Sequence, residues 1–245
     1  PSESMVPALQ VGDRVAVAKF AYGYNRNSIP FGLGLMVIGD DPKNPEERIM
    51  GSNPHRGDVI VFQHPHSDRV MIKRLVGLPG DTIQVKGGKL FLNGTEVQRD
   101  KVRTTTYIPD DNSRLTTATE YRQTIPTGEG DKTKTFLIHE FSDSDSLDET
   151  PIFKVPPGHV FMMGDNRDNS EDSRAPSGHR SMATQFPEAW PYRQSSLPQD
   201  TRDDAIGFVP MDYLIGRAET VLFTLHGCKQ APGAECPEGR LWKGL

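Results

Sequence analysis

Long hydrophobic runs are absent from this 245-residue chain. A bilayer-spanning helix needs roughly 20 apolar residues, and the longest candidate, residues 30–38, reaches about half of that. The chain as written is therefore expected to be soluble. Cysteine is nearly absent too: only Cys228 and Cys236 occur. In an oxidising compartment they could close a short disulfide loop; otherwise they are ordinary thiols, because sequence spacing alone does not set the geometry a disulfide requires. No strong charge of one sign is present: 28 Lys and Arg stand against 33 Asp and Glu, for a net −5, and the two signs are interleaved. Without a basic stripe, nucleic acid is excluded as a partner. Also missing are Gly-x-Ser-x-Gly, Ser-x-x-Lys, His-Glu-x-x-His and a phosphate-binding loop. The histidines are scattered, and the closest pair, His64 and His66, flanks Pro65. Neither a metal nor a cofactor is expected.

What remains is a turn-rich chain with 23 glycines and 20 prolines and apolar residues at period two. Residues 14–18, 58–62, 69–76, 82–85, 89–92, 160–163 and 214–225 read as strands, and long amphipathic helical stretches are missing. Gly87-Gly88 and Asn93-Gly94 lie between β-prone runs, where tight hairpins need positive φ, so a meander is predicted over residues 82–97. The fold class is mainly β, with coiled antiparallel sheets. Residues 22–56 form a long Gly-, Pro- and Asn-rich connection with an apolar patch at 31–38. Residues 99–148 are polar and rich in Thr and Asp, and 175–206 carry Phe186, Trp190 and Tyr192 among prolines and charges. Connections this long are usually functional or disordered. The expected organisation is a discontinuous core of residues 1–90 and 155–226, an inserted β-rich subdomain at 91–154, a loop insertion at 175–206 and a tail at 227–245.

Among candidate chemical groups, Lys73 is informative. It lies in Met71-Ile72-Lys73-Arg74-Leu75, where strand alternation puts it on one face with Met71 and Leu75. A lysine desolvated between apolar neighbours loses affinity for its proton, and a neutral amine is a usable base. A snorkelling edge-strand lysine is the plainer alternative. The N-terminal run Pro1-Ser2-Glu3-Ser4-Met5-Val6-Pro7 presents two serines between prolines that discourage a helix. Gly164-Asp165-Asn166-Arg167-Asp168-Asn169-Ser170 follows a strand and is dense in side chains that hydrogen-bond backbone; its interior Arg167 argues against a calcium loop.

These runs, with Arg56-Gly57-Asp58-Val59-Ile60-Val61-Phe62 and Ile72-Lys73-Arg74-Leu75-Val76-Gly77-Leu78-Pro79-Gly80-Asp81, resemble in order the four signature boxes of bacterial type I signal peptidases. Gly207-Phe208-Val209-Pro210 and Gly216-Arg217-Ala218 resemble that family's closing strand. The resemblance implies a serine endopeptidase in which Ser4 is the nucleophile and Lys73 the general base. It also implies an oxyanion site formed by the Ser4 N–H and the Ser2 hydroxyl, and a Ser170 hydroxyl that hydrogen-bonds and orients the Lys73 amine. Arg74 and Asp165 would form a supporting ion pair, and Asp172 and Arg174 would brace the loop; Met5, Leu9 and Ile72 would line pockets for small side chains. The implied partners are secreted preproteins, bound as an added strand and cut after small residues, and a membrane surface against which residues 31–38 could lie. A monomer is expected, at the outer, periplasmic face of the cytoplasmic membrane, with a transmembrane anchor preceding Pro1.

Three features depart from that family's pattern. Glu3 stands where several relatives carry glycine or another small residue, Ala8 replaces a common threonine, and residues 175–206 interrupt boxes that are nearly contiguous in many relatives. The self-cleaving domain of SOS-type repressors, a related Ser–Lys architecture, lacks the Asp/Asn/Arg box. A β-rich periplasmic binding module, in which Ser4 and Lys73 are incidental, is the reading from another class.

Overall fold

The structure, a computed structural model, describes residues 3–22, 52–108, 115–175, 188–189, 206–225, 234 and 240–245. Ser2, Cys228, Cys236, the 31–38 patch and most of 175–206 lie outside the described residues.

Fourteen strands carry the fold: β1 (Asp13–Ala18), β2 (Val59–Gln63), β3 (Val70–Gly77), β4 (Thr82–Lys86), β5 (Lys89–Leu92), β6 (Thr95–Glu96), β7 (Arg99–Tyr107), β8 (Thr116–Pro126), β9 (Thr133–Glu140), β10 (Phe153–Lys154), β11 (His159–Met163), β12 (Val209–Pro210), β13 (Leu214–Thr224) and β14 (Lys243–Gly244). They form a seven-stranded sheet in the order β1-β13-β2-β3-β11-β12 with β14 also on β13, a four-stranded sheet β10-β4-β5-β6, and a three-stranded sheet β7-β8-β9. All the ladders are antiparallel. The mainly β, antiparallel reading is borne out.

Each strand predicted from period-two patterning is present within a residue or two, and the meander over 82–97 is β4-β5-β6. Both its turns have positive φ at both central residues: 53° and 69° at Gly87 and Gly88, 52° and 78° at Asn93 and Gly94. Such turns match the right-handed twist of the strands they join. The boundary expected between residues 90 and 91 falls inside β5 (Lys89–Leu92). One apolar cluster also joins Val76, Phe161, Met163 and Phe208 of the large sheet and its flanks to Leu92, Ile125, Ile138 and Phe153. Residues 91–154 thus share their interior with the large sheet.

β3 positions the site. Alternation fails along it, because every residue from Lys73 to Gly77 is buried. The strand is central there, with β2 on one side, where Lys73 stands opposite Ile60, and β11 on the other, paired from Arg74 to Gly77. A second cluster (Ile60, Phe62, Leu75, Val160, Met162) and a third (Met5, Leu9, Val59, Ala218, Val221) pack against this sheet. Residues at the far end of the chain reach the same region. Lys243 and Gly244 pair with Val221 and Thr220, and Arg240 donates to the Asp13 carboxylate and to the Ala8 carbonyl at 3.2 Å.

Candidate active site

The nucleophile candidate sits on one short turn. Glu3–Met5 form a 3-10 turn closed by Val6 N–H donating to the Glu3 carbonyl at 3.0 Å, and Met5 anchors it in the third apolar cluster. This leaves the Ser4 hydroxyl beside Lys73: the Lys73 amine, 69 positions further along the chain, donates to Ser4 Oγ, with Ser4 only 6% and Lys73 2% exposed. Removal from water pushes the Lys73 amine down from 10.5 to about 8; Arg174 adds to the fall, while Asp172, Asp165 and Glu171 oppose it. A group in that range carries a usable fraction of neutral amine near neutral pH.

The Asp/Asn/Arg loop, residues 164–174, locks this turn in place. The Asn166 N–H donates to the Ser4 carbonyl at 3.0 Å. The Arg74 guanidinium forks onto Asp165, Nε and Nη2 each donating at 2.7 Å, gives Nη1 to the Gly57 carbonyl at 2.6 Å, and lies 4.0 Å over the Phe136 ring. Asp172 accepts from Gly164 N–H at 3.0 Å and from Arg174 Nε and Nη2 at 2.9 and 2.8 Å. Burial works to raise the Asp172 carboxyl, but Arg174 beside it holds it below the ordinary value. Arg174 also donates to the Arg167 carbonyl at 2.6 Å. Glu3 is held by Asn169 Nδ2, which donates to its carboxylate at 3.1 Å.

Two expected placements differ from the structure. The hydrogen bond expected between Ser170 and the Lys73 amine is not made: Ser170 Oγ is buried and has no hydrogen-bond partner among the described residues. It packs instead against Gly164, and the amine is occupied by Ser4 Oγ. Met5 and Leu9, expected in a pocket wall, are wholly buried core residues. The cleft beside Lys73, about 460 Å³, is lined by Val15, Val61, Arg69, Val70, Met71, Ile72 and Lys73. Met5 and Leu9 back it through Ile72, which packs on their cluster.

The structure adds partners that the sequence does not single out. The end of β9 docks on the loop, with His139 N–H donating to the Asp165 carbonyl at 2.9 Å. Phe141 and Ser142 N–H groups both donate to the Asp168 carboxylate, at 2.6 and 3.1 Å. Buried Arg167 gives Nη2 to Gln123 at 2.9 Å and Nε to the Gly164 carbonyl at 3.1 Å. Glu140, paired with Arg99, is raised to about 7 by desolvation. Among the described residues no group of His, Cys, Asp or Glu could hold a metal ion, and no helix is long and apolar enough to cross a membrane.

The sequence profile of a family described as "Signal peptidase, peptidase S26" matches residues 1–223. A signal peptidase I of Rickettsia typhi is 28% identical over 231 residues, covering 91% of this chain and 70% of that protein. One from Rickettsia prowazekii is 32% identical over 185 residues, covering 73% and 64%. One from Pseudomonas aeruginosa is 32% identical over 223 residues, covering 90% and 62%. A crystal structure of a signal peptidase I from Enterococcus faecalis is 22% identical, with a TM-score of 0.33, over 68% of this chain and 97% of that one. The chain spans between 58% and 70% of the length of such curated relatives. With its four boxes inside the matched region, this chain belongs to the signal peptidase family, peptidase S26.

Proposed function

We propose that this protein is an endopeptidase that removes signal peptides from exported preproteins through an acyl-enzyme on Ser4, with Lys73 as the base. The observation that carries this reading is the buried contact between the Lys73 amine and Ser4 Oγ. A hydroxyl is a weak nucleophile until an adjacent base takes its proton. With the amine neutral, its lone pair accepts the Ser4 proton as Oγ attacks the scissile carbonyl. The resulting ammonium gives that proton to the leaving amine, and Lys73 then deprotonates the water that releases the acyl group. The developing oxyanion is assigned to the Ser4 N–H and the Ser2 hydroxyl. Removing one such donor typically costs about 10²–10³ in rate.

Substrate geometry follows from β3. β11 covers β3 only from Arg74 to Gly77, so among the described residues no strand pairs with Val70–Lys73 on that side. An extended peptide added there would gain main-chain hydrogen bonds and alternate its side chains into the apolar cleft. A cleft walled by Val61, Met71 and Ile72 supports small residues at the first and third positions before the cut. The same reading puts the domain at the outer face of the cytoplasmic membrane. Incubation with a purified preprotein is expected to give one cut after a small residue; an intact preprotein would remove the assignment.

Acid is expected to silence the enzyme through Lys73. The base must be neutral and its pKa is about 8, so kcat/KM rises about tenfold per pH unit up to about pH 8 and then levels. Measured from about pH 6 to about pH 9.5, a profile that stays flat, or climbs as for an ordinary lysine, contradicts the assignment. Gly164 offers a steric test. A Cβ there would come within 2.5 Å of Ser170 Cβ and of the Ser4 carbonyl oxygen. Gly164→Ala must therefore displace the nucleophile turn, and kcat is expected to drop about 10²-fold, the usual cost of a misplacement near 1 Å. Wild-type turnover would show that the turn has room to give.

A further inference from the structure

We propose that Tyr107, at the end of β7, is a positioning residue for the Ser4 nucleophile, acting through Asn166; the inference rests on the proteolytic reading above. Asn166 touches the nucleophile turn twice. Its backbone N–H donates to the Ser4 carbonyl at 3.0 Å, and its side-chain Nδ2 donates to the Glu3 carbonyl at 3.2 Å. The second proton of that Nδ2 goes to the Tyr107 hydroxyl oxygen at 3.0 Å. Both amide protons are thus committed, while Asn166 Oδ1 is buried without a hydrogen-bond partner among the described residues.

The amide orientation therefore depends entirely on its donors. A flipped amide would aim Oδ1 at the Glu3 carbonyl, two acceptors facing one another in a dry interior. The Glu3 carbonyl, which cannot donate, selects the observed orientation, and the Tyr107 hydroxyl, taking the second Nδ2 proton, fixes where that amide sits. It is itself well fixed, 8% exposed, and its ring lies 6.0 Å from that of His139 and 6.4 Å from that of Phe141. His139 in turn pairs with the loop, as a parallel bridge to Asn166 and through the Asp165 carbonyl, and its Nε2 lies 3.2 Å from Glu120. A single phenolic oxygen of the three-stranded sheet thereby positions Asn166, whose Nδ2 holds the Glu3 carbonyl and whose backbone N–H holds the Ser4 carbonyl.

The test is a cycle of Tyr107→Phe, Asn166→Ala and the double variant, with kcat, KM and the unfolding temperature measured for each on a preprotein that the wild type cleaves. Loss of one buried acceptor is expected to lower kcat about tenfold with KM within about twofold, and the double variant is expected to be no slower than Asn166→Ala alone. A Tyr107→Phe enzyme with wild-type kcat, or a double variant whose loss is the product of the two single losses, overturns the proposal. Should Tyr107→Phe not fold, 3-fluorotyrosine at position 107 weakens the acceptor without removing it. A kcat reduced about twofold to threefold at unchanged KM supports the proposal, and an unchanged kcat overturns it. A wild type that cleaves nothing marks failure of the protease reading itself, which separates the two outcomes.

Discussion

Ser4→Ala and Lys73→Met are each expected to reduce cleavage by about 10⁴-fold or more, because in the proposed mechanism nucleophile and base work as one unit and neither is useful without the other. Their effects on stability diverge, which separates chemistry from packing. Ser4→Ala removes one hydroxyl and changes unfolding little. Lys73→Met replaces a buried amine with an apolar chain of similar length, and the sign follows from linkage. The folded-state value, about 8, lies below the ordinary 10.5, so the unfolded chain binds the proton more tightly. The penalty is present in full below about pH 8, shrinks between about pH 8 and about pH 10.5, and vanishes above. At pH 7 it corresponds to about 3 kcal/mol, taken from the shift at 1.36 kcal/mol per unit. Lys73→Met is therefore expected to be inactive and more stable than the wild type at neutral pH, with the advantage fading at alkaline pH. Urea unfolding at both pH values checks this. Equal stability at pH 7 would mean that the amine is well solvated, which the proposed mechanism does not allow.

Arg74→Ala has the largest expected effect on folding. Arg74 and Asp165 are 2% and 0% exposed, and the guanidinium also satisfies the Gly57 carbonyl. Removing one partner leaves the other charge buried alone, which typically costs about 3–5 kcal/mol, against a total stability of about 5–15 kcal/mol for a domain. Arg74→Lys is expected to rescue only partly, since one ammonium cannot reproduce a two-pronged fork and a third bond to Gly57. The double variant Arg74→Met, Asp165→Leu should lose less than Arg74→Ala, because no lone charge remains. Denaturant midpoints decide the matter. A loss below about 1 kcal/mol for Arg74→Ala would show the pair to be solvated.

Much of this was legible because the informative parts of the sequence are periodic. Strands with one face in the core, such as β4 and β5, alternate, and paired turn residues mark the hairpins at Gly87-Gly88 and Asn93-Gly94. β7, β8 and β9 were legible only as a polar, β-rich insertion. In β7, residues from Asp100 to Thr104 are exposed, so no apolar rhythm is written into that segment. Threonines favour a strand there without revealing its register. Within the site, Ser4 and Lys73 were recoverable from the boxes. The Ser170 contact was not, because a motif does not set which way a hydroxyl faces, and this one packs against Gly164. Tyr107 was invisible for another reason: its partner Asn166 lies 59 positions away on a loop, and no local pattern connects the two.

The pairing of β1 with β13 has a consequence for how the chain matures. Asp13 and Thr224, hydrogen-bonded to each other at that seam, are 211 positions apart, and Arg240 reaches the same aspartate across 227. During vectorial synthesis β1 therefore emerges without β13, its partner in the sheet, and waits for the stretch between Asp13 and Thr224 to follow. Contacts between such remote segments form late, since a large loop must close before they are made. On the proposed reading, a nascent chain holds Ser4 in an unassembled state until β13 and Arg240 have followed and closed that seam.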